Sequence, residues 1–158
     1  MKYARLTKEQ LEELHPEFTS FLATQSIDKK EWDELKSKKP EVALQEIDVF
    51  SDLIWERALT NVKFVDHFSK QHIFLFKCYE DYLESVVVTT SNEEVDFFSS
   101  TGIEWLSEHL FSEAVEIQKG TKKVNELRNE AIFELIQNGG VISKGELYSK
   151  LITLLNIA

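Results

Sequence analysis

The sequence predicts an α+β fold, with a small antiparallel sheet of about 3–5 strands flanked by N-terminal helices and a C-terminal helical hairpin. Three observations lead there. Apolar residues recur at helical intervals through roughly the first 60 positions. Between Val62 and Thr90 the pattern turns to alternating, β-branched runs, and helical spacing returns after Thr101. At 158 residues, 42% hydrophobic and 29% charged, the chain has the size and composition of one globular domain spanning 1–158, large enough to bury a core without staples.

Each element has a local reason. Thr7-Lys-Glu-Gln10 has capping-box spacing, and Leu11, Leu14, Phe18, Phe21 and Leu22 follow at helical intervals, with a bend or restart at Pro16. Asp28 followed by Glu31 opens a helix carrying Trp32 and Leu35, which ends near Pro40 because the residue before proline disfavours helix. From Glu41, the residues Val42, Ala43, Ile47, Phe50, Leu53, Ile54 and Ala58 keep one apolar face over about five turns. His72–Tyr79 reads as a strand apolar on both faces, and Tyr82–Thr90 as its hairpin partner across Glu80-Asp81, a turn without the usual glycine. Val62–Phe68 is expected as a first strand, Val95–Phe98 as a short additional one, and Val115–Lys119 as a return to the sheet. Thr101-Gly-Ile-Glu104 is a second capping-box spacing ahead of Trp105, Leu106 and Leu110. A helix over Val124–Asn138, a turn at Gly139-Gly140 and a helix capped by Ser143-Lys-Gly-Glu146 close the chain.

Composition excludes several functions. All five glycines lie between Gly102 and Gly145, with no spacing that would let backbone amides cradle a phosphate, so P-loop and dinucleotide-fingerprint binding are ruled out. With 18 Lys and Arg against 28 Asp and Glu, the net charge of −10 repels nucleic-acid backbones and anionic lipid. The densest basic run, from Lys29 to Lys39, contains Glu31, Asp33 and Glu34 and reads as a solvated face. The outline of Ala131–Gln137 and Gly145–Leu155 resembles a helix-turn-helix but carries too little positive charge for DNA affinity of its own. The single cysteine, Cys78, excludes a disulfide within the chain, and no serine sits in a glycine-flanked nucleophile elbow. Neither an export signal nor a membrane-spanning run is seen in the sequence, so a cytoplasmic location is expected.

Four features carry candidate chemistry. Asp48, Asp52 and Glu56 recur every fourth residue and line one helical stripe. That stripe suits basic residues of a partner, a divalent cation or a carboxylate pair for acid–base work, or else is a solvated face neutralised by Arg57 or Lys63. Trp32, in a charged helix with few apolar neighbours, reads equally as a structural staple or as an anchor for a partner. Its fellow aromatics, the other tryptophans and the eleven phenylalanines, read mostly as core. His67 and His72 come together only if a turn intervenes at Ser69–Gln71, and with Asp66 or Cys78 they offer metal-ligand types at a spacing that is not a recognised one. Cys78 itself reads as a core thiol.

Lys2-Tyr-Ala-Arg-Leu-Thr-Lys-Glu-Gln-Leu-Glu-Glu-Leu14, Ala23–Asp28, Asp48–Glu56 and His67–Phe76 resemble a family of short uncharacterised proteins from Bacteroidota, over nearly the whole chain. The resemblance implies a bacterial cytoplasmic protein and supplies no activity or site residue. From the residues themselves, the expectation is a non-enzymatic interaction or accessory module. It would engage a protein partner with a basic or amphipathic surface through Trp32, Asp48, Asp52 and Glu56, without cofactor, metal, nucleic acid or membrane. The alternative is a small hydrolytic enzyme built on Asp52, Glu56, His67 and His72, with or without a divalent cation.

Overall fold

The structure, a computed structural model, describes residues 1–157 and divides into two compact units, Met1–Thr60 and Asn61–Ala158. The fold is α+β: seven α-helices and one open five-stranded antiparallel sheet among the described residues.

The first unit holds α1 (Lys8–Glu13), α2 (His15–Thr24), α3 (Lys29–Lys38) and α4 (Pro40–Thr60). Thr7 and Gln10 cap α1 reciprocally, and the Asp28 carboxylate accepts from the Glu31 N–H to start α3. Pro16 stands in the first turn of α2, where its missing N–H removes no helical bond. The apolar stripes of α2 and α4 meet in an aromatic cluster, with Phe18 and Phe21 at 4.9 and 5.4 Å from Phe50 between ring centroids. Ahead of α1, Lys2–Leu6 runs along α4 in the opposite direction, with Tyr3 and Leu6 buried.

The second unit contains β1 (Phe64–Phe68), β2 (His72–Cys78), β3 (Tyr82–Thr90), α5 (Ser100–His109), β4 (Val115–Lys123), α6 (Arg128–Gln137), β5 (Val141–Ser143) and α7 (Glu146–Ile157). The sheet order is β4-β3-β2-β1-β5. Ile73 pairs with Val88 and Leu75 with Val86, and these four form a buried core with Leu106 and Leu110 from the α5 end and Tyr148 and Leu151 of α7. On the other face, Ala131 and Leu135 of α6 stand across a shallow cleft from Phe76 and Leu83.

Several local readings are corrected. Val95–Phe98 is a turn: the side chains of Asn92 and Asp96 accept from the Glu94 and Phe98 N–H groups and so compete with a ladder, although Val95 and Phe97 still enter the core. The cap of α5 is Ser99, accepting from Gly102 N–H, so Thr101 lies inside the first turn. The strand begun at Val115 runs on to Lys123, and the following helix starts only at Arg128, after a short 3₁₀ turn. Between the two C-terminal helices, Val141–Ser143 pairs with Phe64–Asp66 as an edge strand, which the turn residues Gly139-Gly140 had hidden and which removes the helix-turn-helix outline. Ser143 bonds locally to Gly145 N–H, and the Gly145 carbonyl accepts the first bond of α7 from Ser149. Gly145 has φ +75°, and a Cβ there would lie 2.5 Å from the Phe64 ring, so a side chain fits neither the backbone nor the space.

Candidate functional site

The acidic stripe of α4 is occupied by the protein's own N-terminal segment. Backbone N–H groups of Lys2 and Tyr3 donate to the two carboxylate oxygens of Asp52 at 2.7 and 2.9 Å. Arg5 grips Asp48 with two nitrogens at 2.6 and 3.1 Å, a bidentate geometry that holds the Asp48 carboxyl below the usual carboxylate range. The Tyr3 hydroxyl donates to Glu56, and the Lys2 ammonium lies 3.3 Å from the same carboxylate. Burial, then the bond to Glu56, pushes the Tyr3 hydroxyl up to about 12. Two further bonds complete the seam: Leu6 N–H donates to Ser51 Oγ at 3.0 Å and Trp55 Nε1 to the Ala4 carbonyl at 3.0 Å. The four-residue spacing that suggested a site for outside cations is thus matched by donors from Lys2, Tyr3 and Arg5, residues the sequence reading did not connect to it.

Trp32 lies elsewhere in the same unit. It is half-buried, with its ring edge-on to Phe18 at 5.2 Å and the Lys36 ammonium 5.9 Å from its own centroid. It forms one wall of a groove of about 750 Å³ whose apolar lining includes Leu11, Phe18, Leu22, Ile27 and Ile47. Charged residues of both signs stand at its mouth: Lys8, Glu12, Lys29, Asp33 and Lys36, with His15 beside them. Asp33 and Lys36 pair at 3.4 Å across one turn of α3. Phe18 and Leu22 are buried core residues, as their helical spacing implies, and they border the groove from the core side, with Leu11 half-buried beside them.

Asp52 and Glu56 belong to the first unit, His67 and His72 to the second. The turn after β1 does put both histidines on one face of the sheet, where their rings pack against Phe74 at centroid distances of 5.6 and 5.9 Å. No group of three or more His, Cys, Asp or Glu residues capable of holding a metal occurs among the described residues. Cys78 is buried, and burial pushes its thiol up to about 11 with Arg128 opposing, which makes it a poor nucleophile. Among the described residues no helix is long and apolar enough to cross a membrane.

A family model described as a family of unknown function (DUF6495) matches residues 1–156. No curated protein and no solved structure matches the chain.

Proposed function

We propose that this chain, which belongs to the family of unknown function DUF6495, is a non-enzymatic cytoplasmic binding module that receives an amphipathic helix of a protein partner in the Trp32 groove. The observation that carries the reading is the groove itself: Leu11, Phe18, Leu22, Trp32 and Ile47 present an apolar floor between charged lips of both signs. An amphipathic helix offers the matching pattern, an apolar stripe to the floor and polar flanks to Lys8, Glu12, Lys29 and Asp33. Trp32 supplies the large, rigid apolar surface typical of residues that dominate binding energy. The carboxylates Asp48, Asp52 and Glu56 serve this module by seating Lys2–Arg5 along α4, which leaves the groove as the contact surface. A buried, unreactive Cys78 fits a protein that lives among reducing thiols.

The test uses Ala23, an exposed residue on the groove wall whose replacement leaves the core untouched. A photo-crosslinking residue at Thr19 in living cells identifies the bound protein, and calorimetry with that purified partner compares wild type with Ala23→Glu. Ala23→Glu should weaken binding by about tenfold or more, with thermal stability unchanged. Undiminished binding by Ala23→Glu, or a crosslinked partner whose affinity follows Asp48→Asn instead, sinks the groove as the contact surface.

A further inference from the structure

In the second unit, two open clefts of about 410 and 430 Å³ share Asp66, Phe68 and Ile103 as common lining. Asp66 is the single ionisable side chain lining the first of them, beside Phe97, Phe98, Ser99 and Val141. The Ser143 hydroxyl bonds to the Asp66 carboxylate, but Oδ1 is buried without a hydrogen-bond partner. Burial raises the pKa of this carboxyl against the lowering bond from Ser143. Lys144, Glu146 and Lys150 line the second cleft, and neither lysine forms an ion pair with Asp66. A buried carboxylate oxygen without a donor is costly unless something else supplies one.

The surroundings say what kind of molecule does so. Strand β5 ends the sheet, so its outer side carries backbone groups without a ladder partner among the described residues. The opposite edge, β4, is defended by Glu116, Lys119, Lys122 and Lys123 against strand addition, whereas β5 begins with Val141 and Ile142, 67% and 53% exposed. Phe98, across the first cleft, is 69% exposed. Asp66 is paired with Val141, so both point to the same face, and a strand added outside β5 would alternate side chains onto that face. Its backbone would lie about 10 Å from β1, two strand spacings, a gap that only a long side chain crosses.

We infer that β5 is a docking edge for an extended peptide segment, which pairs its backbone with Val141–Ser143 and lays an arginine or lysine across Val141 onto the Asp66 carboxylate where it lines the first cleft. Val141, Ile142 and Phe98 take the apolar neighbours of that basic residue. The net charge of −10 draws such a segment in at long range. This site is separate from the Trp32 groove and stands without it.

The probe is an array of fluorescein-labelled octapeptides alternating valine and threonine, each with one arginine, paired with counterparts carrying neutral citrulline. Binding to the full chain is read by anisotropy and by hydrogen exchange at Val141–Ser143. Arginine peptides should bind about tenfold tighter than their citrulline counterparts and protect the β5 amides. Asp66→Asn, which preserves shape, should erase the difference, and Val141→Lys, which sets an ammonium beside Asp66 on an exposed position, should do the same. The inference falls if arginine gives no advantage on the wild-type chain, or if the advantage survives both variants. It also falls if n-butylguanidine binds as tightly without protecting β5, which marks a site for small cations, or if the edge is filled by a second copy of the chain in sedimentation.

Discussion

Ser26 is one of two non-glycine residues with positive φ among the described residues, the other being Asn125. It stands just past α2, where Ile27 N–H bonds to the Leu22 carbonyl and Ser26 N–H to that of Ala23, the pair of bonds that closes a helix through a left-handed residue. An L-residue in that conformation costs about 1–2 kcal/mol relative to one without a Cβ, part of which glycine loses again through its freer unfolded chain. Ser26→Gly should therefore raise unfolding stability by roughly 0.5–1 kcal/mol, measured by the urea midpoint at constant slope. The caps at Thr7 and Asp28 were legible in the sequence because both partners lie within three residues. The cap of α5 was not, since Ser99 and Thr101 both offer a hydroxyl in range of a first turn. What selects Ser99 is packing: a Cβ on Gly102 would sit 1.9 Å from the Asp96 carbonyl oxygen, so glycine alone lets the first turn press on that loop.

At the scale of elements, the N-terminal segment and α4 form one device. Asp48 has its pKa lowered by Arg5, so ionised Asp48 favours the docked segment. That contribution is fully present above the ordinary aspartate pKa of about 4 and is lost as pH falls through the lowered value. Acidification from about pH 6 through that lowered value should thus release Arg5, seen as a move of its Nε–H chemical shift toward that of a free guanidinium. Asp48→Asn should show the released signal across the whole range. An Arg5 Nε–H shift that is the same in the wild type and in Asp48→Asn at about pH 6 would remove Asp48 as the holding group. The hairpin between β2 and β3 shows the same dependence on distant partners. Its turn lacks glycine, yet Tyr79 and Tyr82 stack at 4.4 Å, Arg128 Nε donates to the Tyr79 carbonyl at 2.6 Å, and Val124 and Asn125 N–H groups bond to the Asp81 carbonyl. Residues about 45 positions onward reinforce a turn whose own four residues contribute the tyrosine stack but no glycine.

For the molecule as a whole, the excess of carboxylates is the dominant property. The sequence pI lies near 4.9, and as pH falls toward it the charge that keeps copies apart vanishes. Light scattering across about pH 4 to 7 should show a solubility minimum near that point. A minimum well above it would mean that a large share of the carboxylates are protonated in the folded chain.

The amino-acid sequence by itself determined the α+β class, three helical stretches in the first unit, the first with a bend or restart near Pro16 that the structure resolves into α1 and α2, and the strands β1, β2 and β3, and it excluded phosphate-cradling glycine loops. Those features depend on periodicity and on bonds between near neighbours, which a linear reading contains. It also picked out the Asp48–Asp52–Glu56 stripe and Trp32, but not what meets them. Only the tertiary structure decided that the stripe is met by Lys2, Tyr3 and Arg5, that Trp32 walls a groove, that Val141–Ser143 becomes an edge strand and that Asp66 is left with an unpartnered oxygen. The physical reason is range: the donors to Asp52 lie about 50 residues from it in sequence, and a three-residue strand has no periodicity of its own until β1 supplies the ladder.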